Sequence, residues 1–279
     1  MRARGLTIIA GLIALAGCGP AAGDEGTEAP PARVAAQFQH LAAGEAASGE
    51  RLSRVLGCAG CHGPELRGQD WFEDPEFGVL HSANLTLAAR DYSDAQLERA
   101  IRSGVRGDGT PLWDMPSHIF SRLSEADMAA IIAFLRTLEP GGEIPPPMRL
   151  GPEALRLQAA GQFRPEPDKV RATLAAGPPA IEGDHDWARY MIRATCAECH
   201  GLDLAGDPDM TGHSPPPPLS IVSAYSRPQF HHLLRTGEPV GGRTLGLMAM
   251  VARNRFSRLS DAEVDAIYDY LSALAERPQ

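Results

Sequence analysis

The chain has 279 residues and a net charge of −9, with 26 Lys and Arg against 35 Asp and Glu. No stretch gathers basic residues, which excludes nucleic acid as a partner, because binding phosphate needs concentrated Lys and Arg. The length favours two compact units; 43% apolar content suffices for their cores, and 24 prolines with 29 glycines predict loop-rich domains and long irregular connections.

The chain opens with a processing signal. Arg2 and Arg4 precede an apolar run from Leu6 to Ala16, too short to cross a bilayer and suited to secretion. The run ends in "LAGC", which resembles the lipobox of bacterial lipoproteins. That resemblance implies removal of residues 1–17 and acylation of Cys18, holding the chain by lipid on the periplasmic side of a bacterial membrane. An ordinary cleaved signal with an incidental cysteine is the alternative. Residues 18–45 are then expected to form a flexible tether.

Next comes "LGCAGCHGPEL" at 56–66, and its echo "RATCAECHGLDL" at 193–204. Both contain C-x-x-C-H: Cys58, Cys61 and His62, then Cys196, Cys199 and His200. With five cysteines and nine histidines, chance supplies such a pentapeptide about 0.003 times in this chain. Its chemistry is covalent attachment of haem: two thiols add across the two vinyl groups, and the adjacent histidine becomes the proximal ligand of the iron. Two haem c groups are therefore expected. A thioredoxin-like pair needs a βαβ context that neither site has, and a zinc site of four sulfurs leaves both histidines unexplained. With Cys18 assigned to the anchor, no cysteine remains for a disulfide.

The segments after each motif also recur in order. "YSDAQLERAIRSG" (92–104) matches "YSRPQFHHLLRTG" (225–237), and "FSRLSEADMAAIIAFLRTL" (120–138) matches "FSRLSDAEVDAIYDYLSAL" (256–274). Apolar residues three and four apart predict amphipathic helices, with Ser124 and Ser260 as N-caps. No convincing strand separates them. The sixth iron ligand is expected between the paired helices, from Met115 and, at the same interval from the matched glycine, Met248; Met250 competes with Met248. His81, His118, His213, His231 and His232 are alternative donors, better read as exposed or packed polar residues. Arg102 and Arg235, at equivalent positions, are candidate donors to haem propionates. Residues 140–184 form a Pro/Gly-rich linker with one short helix from about Pro152 to Ala160. The domains thus run 46–139 and 185–279, all-α, in tandem. At about ninety residues each, they need the cofactor as core and are expected to be largely unfolded without it.

Both halves resemble class I cytochrome c domains. The stretch "CHGPEL…ANLT…YSDAQLERAIRSGVRGDGTPLWDMP…LSEADMAAIIAFLRTL" is similar to haem domains of cytochrome subunits serving membrane-associated alcohol and sugar-acid dehydrogenases. The resemblance covers about 46–139 and 185–276 and implies crossed first and last helices around a haem. The function expected is transfer of single electrons between redox proteins (a dehydrogenase, an oxidase or a reductase), without catalysis by the chain itself. Nucleotide-loop and nucleophile-elbow motifs are absent. A dihaem peroxidase and a subunit tightly held in a dehydrogenase complex are the alternatives.

Overall fold

In the computed structural model, which describes residues 36–206 and 215–277, the two halves and the connection between them pack into one unit. The first half begins with α1 (Glu45–Val55) and α2 (Cys58–His62). A hairpin of β1 (Asp70–Asp74) and β2 (Gly78–His81) follows, then α3 (Leu85–Asp91), α4 (Asp94–Ser103), α5 (Ser117–Phe120) and α6 (Glu125–Arg136). Buried residues on α1 recur at helical spacing, Ser48, Leu52 and Val55, and meet Met128, Ile131 and Leu135 of α6. The crossing is close because Gly49 has no side chain. A Cβ there would lie 1.8 Å from the Ala130 carbonyl oxygen.

Strand β3 (Arg149–Leu150) pairs antiparallel with β2, giving a small sheet of order β1-β2-β3. The hairpin falls between two of the matched segments, where no convincing strand is predicted, in a chain that is otherwise helical as expected. Beyond β3 the connection forms α7 (Pro152–Ala159), where one helix is predicted, and a second, unpredicted helix α8 (Glu166–Thr173). The second half comprises α9 (Asp186–Thr195), α10 (Ala197–His200), a 3-10 turn at Leu219–Ala224, α11 (Arg227–Thr236), α12 (Leu247–Asn254) and α13 (Asp261–Ala275). Helix α9 packs on α13 as α1 packs on α6.

The predicted caps are present. Ser124 Oγ accepts from Asp127 N at 3.1 Å, and Ser260 Oγ accepts from Glu263 N at 3.1 Å. Helices α4 and α11 each start with a Ser/Gln capping box.

Cys18, residues 1–17 and His213 lie outside the described residues. The predicted flexible tether of 18–45 differs at its described end, where Phe38 is fully buried. Phe38 N donates to Asp127 Oδ2 at 2.9 Å and Gln39 N to Glu263 Oε1 at 2.8 Å, so this short segment is fastened to both halves. The connection likewise lies along both. Helix α8 packs on α4 and α5, while the carbonyls of Pro178 and Pro179 accept from Arg189 and the Tyr270 hydroxyl of the second half.

Candidate haem-binding sites

Each C-x-x-C-H folds as one helical turn. The two cysteines stand at i and i+3 and the histidine at i+4, so all three side chains share a face. His62 Nδ1 lies 2.8 Å from the Ala83 carbonyl oxygen, and His200 Nδ1 lies 2.8 Å from that of Pro217. A carbonyl only accepts, so Nδ1 carries the proton and the lone pair is on Nε2, the nitrogen available to iron. Burial lowers the pKa of both imidazoles, favouring this neutral tautomer, though the carbonyl bond acts weakly the other way.

The carbonyls are held in turn by a strained turn that occurs twice. Leu66 and Leu204, both buried, adopt φ of 58° and 63°, a left-handed conformation rare for a bulky residue. Leu66 N donates to Gly63 O and Leu204 N to Gly201 O; Leu66 O accepts from Leu85 N at 2.8 Å and Leu204 O from Leu219 N at 2.9 Å. Ala83 and Pro217 sit two residues before those donors. The turn therefore fixes the acceptor that orients each histidine.

The thiols lack the setting of a redox-active thiolate. Burial pushes the Cys58 thiol up to about 11 and the Cys61 thiol to about 12, Glu198 adding to the second effect, and burial also raises Cys196. Reactive redox cysteines shift the opposite way. Among the described residues, no three Cys, His, Asp or Glu side chains converge as a metal site. Two vinyl-spaced thiols with a tautomer-fixed imidazole, in duplicate, are a donor set that fits haem c.

Met115 and Met248 are both half-buried against the apolar core, whereas Met250 is 48% exposed. Met115 lies in the loop before α5, but Met248 is the second residue of α12, a helix where a loop is predicted. The first loop is closed by Leu112 N donating to Gly104 O at 2.7 Å and buttressed by the connection, with Glu166 N donating to Leu112 O at 2.8 Å. Glu166 also accepts from His118 Nδ1 at 2.8 Å and pairs with Lys169 at 2.8 Å.

Three further candidate histidines are tied to carboxylates: His81 to Asp70, His231 to Asp265 and His232 to Glu238. Arg102 and Arg235 do equivalent work on protein groups. Arg102 donates to the Leu123 carbonyl and Glu98, and Arg235 to the carbonyls of Ser257 and Leu259 and to Asp261. Both tie the helix before the ligand loop to the start of the last helix. The geometry gives these arginines a structural task.

The cytochrome c family model matches residues 46–139 and 188–275, each containing one C-x-x-C-H. Among curated relatives, the chain is 26% identical over 265 residues to the fructose dehydrogenase cytochrome subunit of Gluconobacter japonicus, covering 83% of this chain and 53% of that protein. It is 25% identical over 271 residues to the cytochrome c subunit of an alcohol dehydrogenase (quinone) from Gluconacetobacter polyoxogenes, covering 82% and 56%. A diheme cytochrome c-type protein of Cereibacter sphaeroides is 28% identical over 262 residues, covering 82% and 85%. The chain thus spans about half the length of the dehydrogenase subunits and most of the diheme protein. With two matched domains, each bearing its own haem-attachment turn, the chain belongs to the cytochrome c family as a dihaem member.

Proposed function

We propose that the chain is an electron carrier with two covalently attached haems. Cys58 and Cys61 would hold the first, with His62 and Met115 as the residues offered to its iron; Cys196 and Cys199 would hold the second, with His200 and Met248. When bound, haem c supplies a one-electron couple at its iron. The protein's part is to orient its ligands: Ala83 and Pro217 orient the imidazoles, and Met115 and Met248 lie half-buried against the apolar core. A thioether favours ferrous iron, so Met/His ligation raises the potential relative to two imidazoles. The duplicated histidine–carbonyl geometry carries this assignment.

The partners are redox proteins. The names of the relatives favour a dehydrogenase as donor, with an oxidase or reductase as acceptor, and the acidic chain suits basic docking faces. Residues 1–17 and Cys18 would provide export and a lipid anchor on the periplasmic side of the membrane. No described helix is long and apolar enough to cross a membrane. The mature protein is expected to carry two porphyrin-sized mass increments and, after dithionite, the absorption of low-spin ferrous haem. Cys196→Ser with Cys199→Ser should remove one increment. Absence of both increments from protein exported with its haem-attachment machinery would overturn the assignment.

A further inference from the structure

A half-buried ion pair lies between the two haem-attachment turns. Arg255, at the end of α12, donates through Nη1 to Glu198 Oε2 at 2.8 Å and through Nε to the Val55 carbonyl at 3.1 Å. Glu198 lies between Cys196 and Cys199, and Val55 lies three residues before Cys58. One guanidinium of the second half therefore contacts one turn and the end of the helix that leads into the other.

The first half is shaped to receive it. Gly57 has φ 84°, and a Cβ there would come within 2.7 Å of Arg255 Cζ and Nε. Only glycine satisfies both the backbone and the approach. Arg255 Nη2 is buried without a protein partner. The duplicated sequence aligns Arg255 with Ile119, a core residue 2% exposed, and Glu198 with Gly60. The fold itself thus requires charge at neither position.

We infer that Arg255 is a shared electrostatic residue of both haem sites, its fixed charge favouring the reduced state of each haem, with Glu198 setting the balance. This rests on the two-haem reading above. Exchange between the sites moves one electron, oxidising one iron and reducing the other, and needs no proton or co-reactant. Each haem loses one unit of positive charge on reduction. A nearby guanidinium favours that state and a nearby carboxylate opposes it.

The test uses full-length, haem-loaded protein, with haem content measured first by pyridine haemochrome and midpoint potentials then measured by spectroelectrochemistry. Arg255→Gln should lower the ferrous-to-ferric ratio at fixed potential about tenfold at both haems, equivalent to about 59 mV for a one-electron couple. Glu198→Gln should shift both haems upward, and Arg255→Lys, which keeps the charge, should shift neither as far as Arg255→Gln does. General loosening of the turns would move both neutral variants the same way. Equal signs, shifts at one haem only, a full shift in Arg255→Lys or no shift would each overturn the inference. If Arg255→Gln fails to load haem, Glu198→Gln decides alone. Wild-type protein without haem would instead overturn the proposed function, and the haemochrome separates the two failures.

Discussion

His62 and His200 show how little of a site one side chain determines: each is directed by a carbonyl, and each carbonyl by a leucine in a left-handed turn. The cysteines and histidines were legible in the sequence because covalent attachment fixes their spacing. Ala83 and Pro217 were not, since any residue provides a carbonyl; only the repeated "CHG" followed by leucine hinted at a conserved turn geometry between the halves. Met115 and Met248 are distinguished from Met250 by burial, a property that spacing alone left open. In reduced protein, Met115→Ala and Met248→Ala should each open one haem to carbon monoxide, so that half the total haem shows the shifted spectrum, while Met250→Ala should open neither. Rapid carbon monoxide uptake by the unmutated protein would favour the peroxidase alternative instead. Glu166 makes a second residue-scale case. Burial alone would raise its pKa, but the His118 hydrogen bond and the charges of Lys169 and His118 outweigh burial and hold the carboxyl below its ordinary range. Its stabilising contribution is therefore complete above the unfolded value of 4.5 and is lost as pH falls through the lower folded value. Glu166→Gln should cost about 1–3 kcal/mol at pH 7, and urea melts at pH 3 should show a smaller difference from the unmutated chain.

The helices that follow period and capping were readable as elements, and the ones that depend on distant partners were not. Helix α6 announces itself by apolar spacing and Ser124; α13 does so by Ser260 and Glu263. Helix α8 has few apolar residues and is held through Glu166, which is buried beneath the Met115 loop, so no local pattern betrays it. The hairpin is similar. Phe77 meets Phe72 edge to face at 5.5 Å and Phe163 edge to face at 5.4 Å, and Phe163 meets Trp113 at 5.2 Å, so connection and ligand loop supply the partners that make these short strands worthwhile. The crossing of α1 and α6 is the element contact most exposed to a single change. Gly49→Ala must move Ala130 or tilt the helix, and an overpacking cost of about 1–3 kcal/mol is expected in thermal unfolding. In the second half Trp187 occupies the corresponding sequence position, and its indole Nε1 donates to the Gln37 carbonyl.

At the scale of the molecule, the two halves are registered by a pair of equivalent acids. Asp127 and Glu263 occupy the same position in the first turns of α6 and α13, both are fully buried, and both accept from the 36–40 segment. Each also reaches across to the other half. Tyr190 of α9 donates to Asp127 Oδ2 at 2.5 Å, and Arg51 of α1 grips both Glu263 oxygens at 2.9 and 3.0 Å. Asp127 additionally meets His40 Nε2 at 2.8 Å. A helix cap has thereby become an inter-domain joint, which the sequence marks only as acidic residues in a helix's first turn. Because the Asp127 carboxylate is buried among donors, Asp127→Ala leaves the Phe38 N–H and Tyr190 hydroxyl without acceptors and should cost about 3–5 kcal/mol. The cost falls on contacts between halves, so calorimetry should resolve two haem-domain transitions in this variant where the unmutated holoprotein gives one. A double-mutant cycle of Asp127→Asn with Tyr190→Phe should return a coupling of about 0.5–3 kcal/mol. Additive effects together with one unsplit transition would mean that the acids serve their own helices and that other contacts register the two halves.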